Sequence, residues 1–234
     1  HILEVEPLGW YNMFHMKRIP LVMGEYYHIY NRGVDKRSIF EKPEDFKTFL
    51  EELDGFNNGS PVGGLYVDGL IKRVRNPRGS TSSEKIVEII AFCLNSNHFH
   101  LILTPLVEDG IKKFMQRIST GYTMYFNEKN KRSGALFQGR YKAKHINSNE
   151  YLLYLSAYVN LNFLVHGYTE KDKYISSWFE YVSPETSKTH LTNSNIVINQ
   201  HVSREKYQTD AMEIVKNIAT KRLEDKKLNN MLLE

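Results

Sequence analysis

Ile89-Ile90-Ala91-Phe92-Cys93-Leu94-Asn95-Ser96-Asn97-His98-Phe99-His100-Leu101-Ile102-Leu103-Thr104-Pro105 decides how the rest of this chain is read. Two apolar runs flank a short polar turn, the pattern of a buried hairpin with arms over roughly 86–94 and 98–104. On a strand, residues i and i+2 point to one face, so His98 and His100 project side by side while Phe99 packs behind them. Two imidazoles on a rigid strand are half of a divalent-metal site. A lone His-x-His pair fits two partly exposed strand histidines at least as well, and only the remainder of a site decides between the two.

Upstream, Tyr26-Tyr27-His28-Ile29-Tyr30 is aromatic and β-branched and predicts a strand ending at the turn signal Asn31-Arg32-Gly33. Pro43 opens a helix whose first turn holds Glu44 and Asp45, favourable against the helix dipole. Phe46, Phe49, Leu50 and Leu53 recur at i, i+3, i+4 and i+7, an amphipathic stripe that stops at Asp54-Gly55. Residues 55–83 are rich in Gly, Ser and Asn. They carry Lys72, Arg73, Arg75 and Arg78, with a small hairpin expected across Asp68-Gly69. This stretch reads as a basic surface insertion that either touches nucleic acid or is a solvated loop.

Downstream, Asp109 introduces a helix in which Ile111, Phe114, Met115, Ile118, Tyr122 and Phe126 repeat at helical spacing, a core stripe and not a cofactor box. A basic turn at 129–134 leads to a strand expected over Ala135 to Ile146. Asn147, with Glu150 three residues on, resembles a capping box and starts a helix to about Leu161. The order is β-α-β-β-α-β followed by a helix. This is the α+β, ferredoxin-like or RRM-like plan of an antiparallel sheet backed by two helices, with one sheet face expected open for a ligand. Tyr168 to His201 is aperiodic, and a terminal helix is expected from about Ser203 to Leu232.

Composition narrows the class. Aromatics make up 12% of the 234 residues, which argues against disorder. No apolar run approaches the ~18 residues a membrane helix needs, so no membrane span is expected, and the lone cysteine fits a reducing cytoplasm. The single cysteine, Cys93, excludes an intramolecular disulfide and reads as core filling. Net charge is +4, and residues 1–15 hold Glu4 and Glu6 with no Lys or Arg, so the remainder is more basic still. Nucleic acid is the leading partner class, with a solvated basic surface as the alternative. Met16-Lys17-Arg18 reads as a natural start, which makes residues 1–15 a vector-derived remnant or loose extension.

The helix after Asn147 gives the histidines their partners. Tyr151, Tyr154, Tyr158 and Asn162 fall near one face by helical spacing, and Tyr158 and Asn162 are one turn apart. Against the sheet face, Asn162 would complete a two-His, one-amide metal site with the Tyr158 hydroxyl beside it. The plainer alternative is a helix packed through its tyrosines. Residues 129–145 contain Lys129, Lys131, Arg132, Arg140, Lys142 and Lys144 and no acid. Alternation along the expected strand points Arg140, Lys142 and Lys144 one way and Tyr141 the other. Such a row suits either a phosphate track or a lysine-protected sheet edge. His28 and His145 read as structural or DNA-lining residues.

Four stretches together resemble the single-tyrosine HUH transposase family (IS200-like), and within it the REP-associated tyrosine transposases. They are Tyr27-His28-Ile29-Tyr30-Asn31-Arg32-Gly33, Phe92 to Leu101, Ser133-Gly134-Ala135-Leu136-Phe137-Gln138-Gly139-Arg140-Tyr141-Lys142, and Tyr158-Val159-Asn160-Leu161-Asn162. The resemblance spans roughly 24–170 in the right order. Ser96 and Phe163 stand where the family often has proline, and neither change removes a reactive group. The resemblance implies a nuclease/transposase domain over 16–170, with 55–83 inserted, and a C-terminal extension over 171–234.

It implies further that Tyr158 attacks a phosphodiester of single-stranded, hairpin-containing DNA, leaving a 5′-phosphotyrosine and a free 3′-OH. A free phenol ionises only near pH ~10, so it needs help. That help would come from Mg2+ or Mn2+ held by His98, His100 and Asn162. Arg32, Arg117, Gln138, Arg140, Lys142 and Lys144 are the expected DNA-binding residues. The expected setting is the bacterial nucleoid, and a homodimer is left open. Two rivals remain: a metal-dependent phosphodiesterase that uses water, and a non-catalytic binder of nucleic-acid hairpins. RRM-type readers stack bases on sheet aromatics, whereas histidines take the corresponding positions here.

Overall fold

The hairpin forms where the apolar runs place it, as β2 (Val87–Asn95) and β3 (His98–Pro105) joined by Ser96 and Asn97. A computed structural model of the chain describes residues 19–57, 84–168 and 173–231; residues 58–83 of the basic insertion and residues 1–15 lie outside these. The turn is held from outside. The backbone N–H groups of Ile39 and Phe40 donate to the Ser96 carbonyl, and that of Gly33 donates to the Asn97 carbonyl. A side chain at Gly33 would bring its Cβ to 2.3 Å from the Arg37 carbonyl oxygen, so the chain can close here only on glycine.

Strand β1 (Tyr26–Arg32) pairs antiparallel with β3 on one side and with β4 (Lys142–Ile146) on the other. A short β5 (Tyr174–Ser176) adds to β2, giving the order β4-β1-β3-β2-β5. The first four strands follow the ferredoxin-like order expected from the β-α-β-β-α-β reading. The fifth strand lies in the stretch that showed no periodicity, because three residues are too few to display one.

The strands alternate their residues between two cores. On one face Tyr27, Ile29, Phe92, Leu94, Phe99, Leu101 and Leu103 pack against α1 (Pro43–Gly55) and α2 (Gly110–Lys129). Phe46, Phe49 and Leu53 of α1 interdigitate there with Phe114, Ile118 and Tyr122 of α2, as their helical spacing predicts. Burying each such side chain contributes about 1.5–3 kcal/mol. On the other face Ile90, Ala91, Cys93, Ile102 and Ile146 pack against α3 (Asn149–Asn160) and the short α4 (Asn162–Val165). Also against this face lie α5 (Trp178–Val182), α6 (Asn195–Ile198) and the long α7 (Arg204–Met231).

Three expectations are corrected. The face carrying the histidines is not open: Tyr207, Ala211 and Val215 of α7 are buried with Leu152, Leu155 and Val159 of α3 over its apolar half. β4 begins at Lys142, not Ala135, because Gly139 adopts a left-handed backbone (φ +71°) that interrupts the extended run. Before it, residues 135–141 meet the sheet through an isolated bridge between Phe137 and Gly33 and through the Asn31 amide, which donates to the Gly139 carbonyl at 3.1 Å. Finally, Ser148, not Asn147, caps α3, its hydroxyl accepting from the Tyr151 N–H at 3.1 Å.

Candidate active site

Register places the site's strand residues side by side. His98 lies opposite Arg32 and Asn95, and His100 lies opposite Tyr30 and Cys93. His28 lies opposite Lys144, and Tyr30 opposite Lys142. All of these side chains share the face covered by α3 and α4, whereas Phe99, between the histidines, is buried in the other core. The alternation expected for His98-Phe99-His100 is what the sheet shows.

Tyr158 and Asn162 reach this face differently from the expectation of one continuous helix. Helix α3 ends at Asn160, Leu161 leaves helical geometry (φ −111°, ψ 21°), and Asn162 opens α4. The break swings Asn162 fully under the sheet, where its Oδ1 lies 3.2 Å from His98 Nε2. The Tyr158 ring stands edge-on to His100, with 5.8 Å between centroids, and edge-on to His28 at 6.3 Å. Tyr151 lies beneath the Lys144 ammonium, 5.1 Å from its ring centre, and Tyr154 is 42% exposed. Of the three tyrosines, only Tyr158 meets the histidine rings.

The donor set suits a divalent cation. His98 Nδ1 lies 2.6 Å from Asn97 Oδ1, which can only accept, so Nδ1 carries the proton and Nε2 keeps its lone pair. That lone pair and Asn162 Oδ1 face the same point, each taking a hydrogen bond from the Asn95 amide, at 3.0 and 2.9 Å. Asn95 is fully buried, and its own oxygen accepts from the Cys93 thiol at 3.6 Å. The Asn162 Nδ2 amide is buried without a partner among the described residues, as expected of a side chain placed for its oxygen. Among the described residues no three His, Cys, Asp or Glu side chains form a group that could hold a metal ion, so a cation here would have to draw on the Asn162 amide oxygen as well.

Electrostatics keep the imidazoles neutral, the form that ligates metal. Burial pushes the His100 pKa well below the usual histidine value, with His28, His98, His166 and Arg222 adding to the effect. Burial also lowers His98, partly opposed by Asn162. His28 is pushed down to about 3 by burial and by Lys144. His166, whose ring lies 4.7 Å from that of His98, is lowered to about 4, again chiefly by burial. Arg222 of α7 bears on His98, His100, His166 and Tyr154, which brings a cation of the C-terminal extension near the pocket.

The expected DNA-binding residues divide. Arg32 Nε donates to Gln138 Oε1, and these two lie at the His98 end of β1. Lys142 and Lys144 are exposed and share the histidine face, while Tyr141 packs towards the opposite core, as alternation predicts. Arg140 precedes the strand and has no place in that row. Arg117 sits on α2, across the sheet from the histidines, where its guanidinium donates to the Phe56 carbonyl at the end of α1 at 3.1 Å. The structure does not bring it together with the others.

Sequence reading missed Asn95, His166 and Arg222 as neighbours of the site and left His28 without a partner. Of these, His166 had a signal, one helical turn beyond Asn162. Arg222 also extends the spacing of Tyr207, Ala211, Ile214, Val215 and Ile218 along α7. Asn95 gave none, since a lone asparagine ending an apolar strand reads as the start of a turn.

Residues 66–162 match the family model described as "Transposase IS200 like". The matched stretch contains both histidines, Tyr158 and Asn162. No curated protein matches the chain. Among solved structures, a REP-associated tyrosine transposase bound to a REP hairpin aligns at 15% identity with a TM-score of 0.48, covering 77% of this chain and 94% of that one.

Proposed function

Residues 66–162 carry the IS200-like transposase pattern, and from that premise we propose that this chain is a single-stranded DNA endonuclease and strand transferase acting through Tyr158. The observation that carries the reading is the convergence of Tyr158, His98, His100 and Asn162 on one sheet face, from three separate elements. Tyr158 Oη attacks the phosphorus of a phosphodiester, the bond to the 3′ oxygen breaks, and that oxygen leaves as a 3′-OH. The phenol loses its proton and a 5′-phosphotyrosine remains. Reversal of the same exchange onto another 3′-OH joins strands without an outside energy source.

His98 Nε2, Asn162 Oδ1 and His100 would hold Mg2+ or Mn2+. Bound there, the cation supplies charge stabilisation at the phosphate oxygens. The chain itself does the positioning. Asn97 fixes the His98 tautomer, and the Asn95 amide bridges His98 Nε2 and Asn162 Oδ1 in the metal-free chain, a hydrogen bond to Nε2 that the cation would replace. Lys142 and Lys144 stand on β4 on the same face, in register with Tyr30 and His28, and would take neighbouring phosphates. α7 packs on α3 over the sheet, and Tyr174 of β5 stacks on Phe163 of α4, so residues 173–231 support the catalytic helix. Buried contacts make that support specific: the Asn160 amide donates to the Tyr207 hydroxyl at 2.9 Å, and the Ser177 hydroxyl donates to Asn160 Oδ1 at 2.5 Å.

Incubation of the full chain with Mn2+ and single-stranded oligonucleotides, with and without a hairpin, tests the reading. A covalent protein–DNA adduct is expected, mapping to the peptide containing Tyr158. Tyr158→Phe removes one oxygen and should abolish both adduct and cleavage while DNA binding persists. Tyr151→Phe and Tyr154→Phe should retain both activities. Cleavage without an adduct would favour a water-using phosphodiesterase, and tight hairpin binding without cleavage would favour the non-catalytic reading.

A further inference from the structure

His28 is absorbed by none of the roles above, yet it makes a close polar contact with a proposed metal ligand. Its Nε2 lies 2.8 Å from His100 Nδ1, both side chains are buried, and the ring planes are 18° apart. The two residues sit on adjacent strands, β1 and β3, two residues out of register on one face. A neutral imidazole carries one N–H, so in this pair one ring donates and the other accepts. The choice has a chemical consequence. If His28 donates, His100 keeps its proton on Nε2, and neither of its nitrogens has a lone pair free for a cation. If His100 donates through Nδ1, its Nε2 lone pair is free.

We propose that His28 is a positioning residue for His100: its Nε2 accepts the His100 Nδ1–H and thereby holds the His100 Nε2 lone pair ready for the metal. His98 supplies an independent parallel on the same strand, since its Nδ1 proton is held at 2.6 Å by Asn97 Oδ1. Both histidines then stand in one tautomer, each fixed by a different acceptor, a hydroxyl-free amide oxygen for one and an imidazole nitrogen for the other. Such outer partners of a ligating histidine fix its ring orientation, and removing them typically weakens metal binding by about 10–100-fold. The inference rests on the metal reading above, but the tautomer is a property of the metal-free chain and can be measured without it.

The test uses the full chain labelled with 15N-histidine, with His100 assigned by comparison with His100→Gln. Long-range 1H–15N correlation spectra of the metal-free protein are expected to show His100 protonated at Nδ1 and unprotonated at Nε2. In His28→Phe, which keeps a flat ring without an acceptor, the His100 signals should move to the other tautomer or to a mixture. Mn2+ affinity, followed by the loss of the free-ion electron paramagnetic resonance signal, should fall about 10–100-fold. His28→Gln, whose amide oxygen can accept, should restore both tautomer and affinity. If His28→Phe fails to fold, the wild-type tautomer and His28→Gln still decide. Wild-type protein that binds Mn2+ with His100 protonated at Nε2, or a His28→Phe protein with unchanged tautomer, overturns the inference. Wild-type protein with the expected tautomer that binds no Mn2+ leaves the His28–His100 bond standing and overturns the metal reading instead.

Discussion

The two faces of the sheet are built from alternate residues of the same strands, yet they bury opposite chemistries. Towards α1 and α2 the strands send Tyr27, Ile29, Phe99 and Leu101 into an almost wholly aromatic and aliphatic core. Towards α3 and α4 they send His28, Tyr30, His98 and His100, beside an apolar part built from Ile90, Ala91, Cys93, Ile102 and Ile146. A face that needed only stability would have been filled like its neighbour, because buried polar groups cost free energy unless partnered. The difference teaches where the strand's positions are set by packing and where by chemistry, and three consecutive residues, His98-Phe99-His100, straddle the boundary.

Substitution within that triplet should separate the two most sharply. His98→Ala with His100→Ala is expected to abolish metal-dependent cleavage. A loss of roughly 1,000-fold or more corresponds to the several kcal/mol of charge stabilisation a bound cation supplies, while the fold survives. Phe99→Ala, between them, should instead cost about 3–5 kcal/mol of stability by opening a cavity against Phe49 and Phe137. Cleavage assays beside urea unfolding of both variants check this. Full cleavage by the double variant with metal supplied would dissolve the distinction between the faces.

The ionisable groups buried on the two faces should also respond to pH in opposite senses. On the first face, burial raises the Glu52 carboxyl well above its ordinary range, and its Oε2 has no partner among the described residues. A raised folded pKa gives stability that is present in acid and lost as pH rises above ~4.5. Glu52→Gln should therefore stabilise the chain at neutral pH, with the gain shrinking towards pH ~4.5. On the second face His28 is depressed to about 3. Its contribution is present above the ordinary histidine pKa of ~6.5 and is lost as pH falls from there towards 3. Between pH 7 and pH 4.5 that group accounts for a loss of stability on the order of 2–3 kcal/mol. His28→Gln should flatten the acid limb by that amount, and Glu52→Gln should leave it in place. Urea midpoints at several pH values for the three proteins decide it, and acid limbs of equal slope would mean that His28 is not the group responsible.

How much of this was legible follows from the same boundary. The apolar face announced itself through period: Phe46, Phe49 and Leu53 at helical spacing, and strand residues alternating about Phe99. The same-face placement of His98 and His100 was legible too, because strand geometry translates sequence distance into direction. What stayed hidden was anything fixed by a break or by a distant element. No period reveals that Leu161 leaves the helix and turns Asn162 under His98. Gly139 ends an apparent alternation and removes Arg140 from the strand row, since a left-handed backbone is a single-residue event. The partners of His28 and Asn95 are tertiary, and β5 and Arg222 arrive from the far end of the chain.

The smallest effect concerns the cations, and it asks whether DNA follows one face only. Lys142 and Lys144 are exposed beside Tyr30 and His28, whereas Arg117 stands across the sheet with its guanidinium on the Phe56 carbonyl. If the strand path lies on the histidine face, Lys142→Gln with Lys144→Gln removes two phosphate contacts. The slope of log affinity against log salt should then fall by about 1.4, at roughly 0.7 per contact on single strands. The loss should be similar for all sequences, because phosphate contacts carry no base information. Arg140→Gln, lying before the strand, should add less than either lysine. Arg117→Gln should leave the slope unchanged and show itself in stability, by about 1 kcal/mol for a hydrogen bond to a helix-terminal carbonyl. Titrations of one oligonucleotide at four or five salt concentrations suffice. A slope that falls with Arg117→Gln and not with the two lysines would put the DNA on the α1–α2 side, and the histidine face would lose its claim to the substrate.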